Sequence, residues 1–312
     1  LAIEGQDAGY YVNPSIVKGI VDAHLNHDNA LNLKQLDRAI LIANDLSGVK
    51  VSGVLQAGQK PGETDVAVSL KNAPRITAVV SSDNYGSKST GRARLLGDFT
   101  YASPFHIGDK ANLSLLKTEG NEYGRLSYNA PLGNKGLTVG INGSFLQYEV
   151  VSDQLKSSQA RGFSKSAGIE ARYPVIRTQQ TNLYINSNLD HKHFKNKGSS
   201  QSEYDVDTLL VGLAGDHFDQ WVLNGAQNNA AVQLTHGNNN RVITDGSHGN
   251  FTKLNWNLIR NQFVMTNYTF IAKASGQFAD NNLDSSQKFY IGGASGVRAY
   301  PSSEGSGSSG YL

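Results

Sequence analysis

The stretch Leu137-Thr138-Val139-Gly140-Ile141-Asn142-Gly143-Ser144-Phe145 alternates without a break: Leu, Val, Ile, Gly and Phe fall on one side, Thr, Gly, Asn and Ser on the other. Successive side chains of a strand point to opposite faces, so a period of two gives one apolar and one polar face. The pattern returns further along. Ala167, Ile169, Ala171, Tyr173 and Val175 oppose Gly168, Glu170, Arg172 and Pro174. Leu183, Ile185 and Leu189 oppose Asn182, Asn186, Asn188 and Asp190, and Leu254, Trp256 and Leu258 oppose Lys253, Asn255 and Asn257. A carboxylate and a guanidinium at Glu170 and Arg172 are costly in a sandwich core but cheap on a wetted wall. The predicted faces are therefore outward for Val139, Ile141, Phe145, Ile169, Ala171, Leu183, Ile185, Leu254 and Trp256. Asn142, Glu170, Arg172, Asn186, Lys253 and Lys273 are predicted to face inward, toward a lumen.

Eleven segments of this kind follow one another, at about 75–83, 93–102, 110–118, 123–131, 137–149, 165–176, 180–193, 203–218, 226–237, 251–263 and 266–279. Lengths near ~9–14 residues suit a tilted strand crossing a bilayer, and polar-in, apolar-out alternation is the mark of a transmembrane barrel. A soluble sandwich or solenoid also alternates. The connections favour the barrel: short turns such as Leu132-Gly133-Asn134-Lys135-Gly136 alternate with long polar loops such as Ser152 to Gly162 and Lys195 to Ser202, the asymmetry of periplasmic turns against external loops.

Composition agrees. The 28 Lys+Arg and 26 Asp+Glu leave a net charge of +2, which gives no field to steer nucleic acid. Tyr, Phe and Gly are plentiful, and no apolar run approaches the ~20 residues of a membrane-spanning helix. No signal-peptide pattern follows Leu1, which means little if the chain begins inside a longer protein. The absence of cysteine says little about compartment.

Residues 1–72 have a different period. Ile16, Ile20 and Val21 recur at helical spacing behind Asn13-Pro14, and a second helix is expected from Leu33 to Leu46, stopped by Ser47-Gly48. Strands are expected at Val49 to Leu55 and Thr64 to Leu70, joined by the turn-rich Gln56 to Gly62. With Leu1-Ala2-Ile3 as the stub of a first strand, the order is strand, helix, helix, strand, strand. Two domains result: a small α+β module over 1–72 and an all-β, antiparallel barrel region over 73–312.

The segments Leu36-Asp37-Arg38-Ala39-Ile40 and Asn44-Asp45-Leu46-Ser47-Gly48-Val49 resemble the second POTRA module of two-partner secretion transporters, the haemolysin secretion/activation (TpsB) family related to BamA. Asp83 to Gly91 resembles that family's lead-in to its barrel, followed by Ser103-Pro104-Phe105-His106-Ile107-Gly108-Asp109. The most specific segment is Phe289 to Pro301, in which Gly292, Gly293, Gly296, Val297, Arg298, Ala299, Tyr300 and Pro301 resemble the tip of a sixth external loop that folds into the lumen with a Val-Arg-Gly-Tyr motif. Ala299 replaces the usual Gly there, Ser47 a usual Pro, and Ser309 the Asp of a later Gly-Asp-Xaa-Gly stretch.

The resemblance implies a sixteen-stranded barrel, of which this chain holds about eleven strands, truncated and open. It further implies an outer-membrane translocator that captures an unfolded exoprotein in the periplasm and exports it without ATP. The partners implied are a large secreted exoprotein with a β-helical secretion domain and outer-membrane lipid. Strand addition to Val49, Lys50, Val51, Ser52, Val54 and Leu55 is the expected mode of capture, with Pro at Lys50 or Ser52 as its expected antagonist. A BamA-like insertase and a passive diffusion channel are the competing readings; the POTRA-like module speaks against the channel, and further modules upstream would mark the insertase. No catalytic or cofactor site is expected. His191 and His193 are spaced as a metal pair could be, but no third ligand accompanies them and they suit a polar rim better, and the Gly-rich Ile291 to Gly310 lacks the Lys and helix of a P-loop.

Overall fold

The computed structural model describes every residue except 1, 5–8, 26–30, 59–63, 153–158, 199–200, 223, 241–248, 266, 294–295 and 301–304. Leu1 of the expected first strand and Pro301 of the loop motif therefore lie outside the described residues.

The first 72 residues form β1 (Ala2–Glu4), α1 (Pro14–His24), α2 (Leu33–Asn44), β2 (Val49–Ala57) and β3 (Thr64–Asn72). Asn13 caps α1 by accepting from the Ser15 N–H, with Pro14 opening the helix, and Asn32 accepts from Lys34 N–H to cap α2. Helix α2 stops at Asn44, short of the expected Leu46, and Gly48 at φ 90° turns the chain into β2. Val17, Ile20 and Val21 of α1 pack on Leu36, Ala39 and Ile42 of α2 and on the valines of β2 and β3. The sheet order is β1-β3-β2, with β1 parallel and β2 antiparallel to β3, so β2 is an edge strand.

Eleven antiparallel strands follow, each bonded to the next: β4 (Ile76–Asp83), β5 (Arg94–Ala102), β6 (Lys110–Lys117), β7 (Asn121–Leu132), β8 (Leu137–Glu149), β9 (Arg161–Arg177), β10 (Thr181–Lys197), β11 (Ser202–Asp219), β12 (Ala226–Asn239), β13 (Gly249–Met265) and β14 (Tyr268–Ala279). Each expected segment holds one of them. Beyond β14, β15 (Phe289–Tyr290) pairs with β16 (Ser306–Gly307), and β17 (Gly310–Tyr311) returns to β14 at Gly276 and Gln277. The sheet is not closed. Among the described residues, β4 has no outer neighbour and the β14 edge from Tyr268 to Ala274 is unpaired; Phe270 lies on that open edge, while the twelfth, short strand covers only its end. Unpaired edges with exposed Ile76, Val79 and Val80 are templates for association. These 312 residues expressed alone are expected to form heterogeneous oligomers in sedimentation velocity, and a monodisperse monomer would contradict the open-edge assignment.

Register fixes the faces. Ile141 pairs with Ile169, Ile169 with Leu189 and Leu189 with Leu209, whereas Glu170 pairs with Asn188 and Arg172 with Asn186. Ile141 is 61% exposed and its neighbour Asn142 only 7%. Lys110, Asn129, Glu170, Asn188 and Gln233, drawn from β6 through β12, line one cavity on the polar face, which the sheet can do only by curving round it. The polar face is thus the inner one. Alternation breaks within β9: Leu183 faces Ile176 and Tyr184 faces Pro174, leaving Val175 as an extra residue. This bulge leaves Val175 and Ile176 both exposed and turns Arg177 to the inner face opposite Asn182.

Candidate functional site

The small domain sits at the end of the strands that carries the short turns. Ser47 N–H donates to the Gly108 carbonyl (3.0 Å) and Asn13 N–H to the His106 carbonyl (2.9 Å). Arg38 donates from α2 to the carbonyls of Pro174 (2.7 Å) and Val175 (3.2 Å), at the bulge. Arg177, redirected by that bulge, grips Asp45 at the end of α2 through two bonds of 2.8 and 3.0 Å. A planar fork on a carboxylate fixes orientation as well as distance. Between the two bodies lies a chamber of about 510 Å³, lined by Ile42, Asp45 and Leu46 on one side and by Glu170, Arg172 and Asn186 of the inner wall on the other.

Charges on the inner wall are engaged rather than isolated. Glu170 faces Arg125 (3.5 Å) and accepts from Asn142 (3.3 Å); Arg172 lies 3.8 Å from the centre of the Tyr184 ring; Asn182 donates to Asp216 (2.9 Å). Lys273 shares the inner face of β14 with Gln277 and is exposed. Lys253 donates to the carbonyl of Gln287 (3.0 Å), so this predicted lumen charge serves to hold a loop.

That loop, between β14 and β17, is seated on the inner wall at its base. Gln277, 1% exposed, donates to the carbonyls of Gln287 (3.1 Å) and Ser308 (2.8 Å), and Asn255 donates to its oxygen (2.7 Å). Leu283, also 1% exposed, packs into an apolar patch of Tyr204, Val206 and Phe251 on the inner face, and the Tyr204 hydroxyl donates to Asp284 (3.2 Å). Partial burial and then the nearby Asp284 carboxylate push the Tyr290 phenol upward in pKa, and its hydroxyl donates to the Ser285 carbonyl (2.9 Å). These anchors are absent from the sequence-level prediction; an apolar Leu283 amid Asn, Asp and Ser is the one signal that could have pointed to them.

The loop motif folds on its own backbone. Val297 N–H donates to the Ile291 carbonyl (2.8 Å), Gly293 N–H to the Tyr300 carbonyl (3.1 Å) and Gly296 N–H to the Gly293 carbonyl (3.1 Å). Ala299 is exposed and is not among the residues with positive φ, so its methyl group meets no backbone strain. Arg298 is exposed at the turn, with no ion pair to any described residue. Glu170, an inward carboxylate, is engaged by Arg125 and Asn142 instead.

At β2, Lys50, Ser52, Val54 and Leu55 are exposed, whereas the side chains of Val49 and Val51 are buried. Val51 spends both its backbone groups on Asn44, so the odd-numbered residues point their N–H and C=O away from β3 and the even-numbered ones bond to it. Lys50 and Ser52 therefore have their donors inside the β3 ladder. Proline there tests folding, not the edge, and the informative positions are Gly53 and Leu55.

His191 and His193 lie on the outer face and meet carboxylates across the strand pair, His191 to Asp207 and His193 to Asp205, each at 2.7 Å, next to Lys195 and Glu203, also at 2.7 Å. The exposed rings of Phe105, Trp221 and Tyr268 lie at the strand ends nearest the small domain, where an aromatic girdle would meet a bilayer interface.

A sequence profile of haemolysin secretion/activation proteins, described as ShlB/FhaC/HecB, matches residues 62–312. The heme/hemopexin transporter HuxB of Haemophilus influenzae is 29% identical over 289 residues, covering 89% of this chain and 51% of its own length. The hemolysin transporter HpmB of Proteus mirabilis is 25% identical over 334 residues, covering 99% of this chain and 57% of its own. The chain thus spans about half the length of these curated relatives. Among solved structures, CdiB from Escherichia coli matches with a TM-score of 0.80 at 19% identity, over 99% of this chain and 59% of its own. BamA from Haemophilus ducreyi matches with 0.59 at 12% identity, over 97% and 60%. At these identities the structural matches speak for the fold alone.

Proposed function

The chain belongs to the ShlB/FhaC/HecB family of haemolysin secretion/activation proteins, and from that membership and the geometry above we propose that it is part of an outer-membrane exoprotein translocator. Residues 1–72 act as a POTRA module in the periplasm, the second of its kind, and residues 73–312 supply about eleven of sixteen barrel strands and the sixth external loop. The outward apolar face meets outer-membrane lipid. An unfolded segment of the exoprotein pairs with the outer edge of β2, passes into the chamber between module and barrel, and moves along the polar wall. Export draws on folding outside the cell rather than on ATP.

The observation that carries this reading is the shared chamber, which is lined by residues of the edge-bearing module and of the inner wall together. Relatives are named for hemolysin and for heme/hemopexin; for this chain the client is proposed by class, a large secreted exoprotein with a β-helical secretion domain. Its test is Leu55→Pro in the full-length transporter. Proline deletes an N–H that faces away from β3 and leaves the ladder intact. Secreted exoprotein is expected to fall at least roughly tenfold, the scale of losing a backbone bond of ~1.4 kcal/mol or more, at unchanged barrel abundance. Normal secretion by this variant would remove the edge from the mechanism.

A further inference from the structure

We propose that Asn44 sets the register of client capture, by occupying the edge of β2 at Val51 and confining strand addition to Gly53 through Ala57. The inference rests on the edge-capture reading above. An antiparallel strand adds by bonding to residues whose N–H and C=O both point outward. On β2 these alternate from Val49 through Val51, Gly53 and Leu55 to Ala57. At Val51 the place is taken: its N–H donates to Asn44 Oδ1 (2.9 Å) and its carbonyl accepts from Asn44 Nδ2 (2.7 Å). A carboxamide offers one acceptor and two donors, so Asn44 does for Val51 what the peptide of a neighbouring strand would do. The second donor bonds to the Ile40 carbonyl (2.9 Å), which ties the side chain to the last turn of α2. Displacing it would break two short bonds held by a side chain already tethered to α2.

From Gly53 onward no described side chain takes this role. Gly53 also sits under α2, where a Cβ would lie 3.1 Å from Ile40 Cδ1. The client residue opposite Gly53 falls on the same face and meets the half-buried Ile40 side chain, and the next residue on that face meets exposed Leu55. The fitting client is therefore a short extended segment with apolar side chains at alternate positions, docked from Gly53 and excluded from Val51. Asn44 is a positioning residue in this scheme. It acts by denying one register.

The experiment places a photo-crosslinking amino acid at Lys50 or at Gln56, both exposed, in the full-length transporter while it exports its exoprotein, stalled by a folded C-terminal fusion. Adducts at Gln56 are expected to exceed those at Lys50 by roughly tenfold, the scale of the two net hydrogen bonds given up when Asn44 is displaced. Asn44→Ala is expected to raise the Lys50 adduct toward the Gln56 level. Equal adducts at the two positions in the wild type would overturn the role of Asn44 while leaving edge capture standing, and they need no variant that might misfold. A folded, protease-resistant Asn44→Ala with the wild-type adduct pattern would overturn it too, since a merely structural asparagine changes resistance and not register. No adduct at either site during normal export would remove edge capture itself, and the register proposal with it.

Discussion

Arg298→Ala in the full-length transporter is expected to abolish export or reduce it at least a hundredfold, about 3 kcal/mol, while the barrel still reaches the membrane in wild-type amount. The tip that carries Arg298 is closed by backbone bonds from Val297 to Ile291, Gly293 to Tyr300 and Tyr300 to Val297, so truncating the side chain does not unfold it. A guanidinium stays charged at any working pH and offers donors in a fixed fork. Its value is then as a pin to a carboxylate. Glu170 is already paired, so the carboxylate this prediction calls for is another one. Removing one member of a desolvated pair costs about 3–5 kcal/mol because the other is stranded. Arg298→Lys is expected to rescue poorly, since a point charge cannot replace a bidentate fork. An ordinary solvated loop arginine would give wild-type secretion after Arg298→Ala, and that outcome, at equal barrel abundance, would reduce the loop to a linker.

The base of the loop makes this test interpretable. Gln277, Lys253 and Leu283 hold residues 283–287 and 308 to the inner wall independently of Arg298. A defect in Arg298→Ala therefore reports on the tip and not on detachment of the whole loop.

The two faces of each strand were legible from alternation because each carries its own two-residue period: Glu170 had to share a side with Arg172, and Asn186 with Asn188, whatever the partners were. The small module was legible for a similar reason, since Asn13-Pro14 and the helical spacing of Leu36, Ile40 and Ala43 are local signals. What escaped was set by contacts far apart in sequence. Val175-Ile176 as consecutive apolar residues marks the bulge only once the register opposite Leu183 is known. Asn44 reads as an unremarkable residue near a helix end, and its link to Val51 depends on how α2 meets β2. Gln277 continues a polar alternation, and nothing local says that its amide will be buried beneath a returning loop. The edge parity of β2 follows from the Asn44 bonds, which is why Lys50 and Ser52 looked like suitable positions for proline and are not.

Neighbouring residues on β11 offer the sharpest test of which side faces lipid. The outward column of this strand runs Asp207, Leu209, Val211, Leu213, Gly215 and His217, apolar between polar ends, and Val211 lies close to its middle, 48% exposed and paired with Ser187 and Leu234. Leu210 points the other way, faces Asn188 and Thr235, and lines the chamber. An arginine on the lipid face at the bilayer midplane costs about 2–4 kcal/mol, whereas one on a wetted wall keeps its hydration. Val211→Arg is therefore expected to lower the amount of folded transporter in the outer membrane severalfold to a hundredfold, seen as loss of the heat-modifiable band in semi-native electrophoresis. Leu210→Arg is expected to assemble at the wild-type level. Because a slip of one residue carries every side chain of a strand to the opposite face, the reverse result, with Val211→Arg assembled and Leu210→Arg lost, would invert the wall and with it the placement of Glu170 and Arg172.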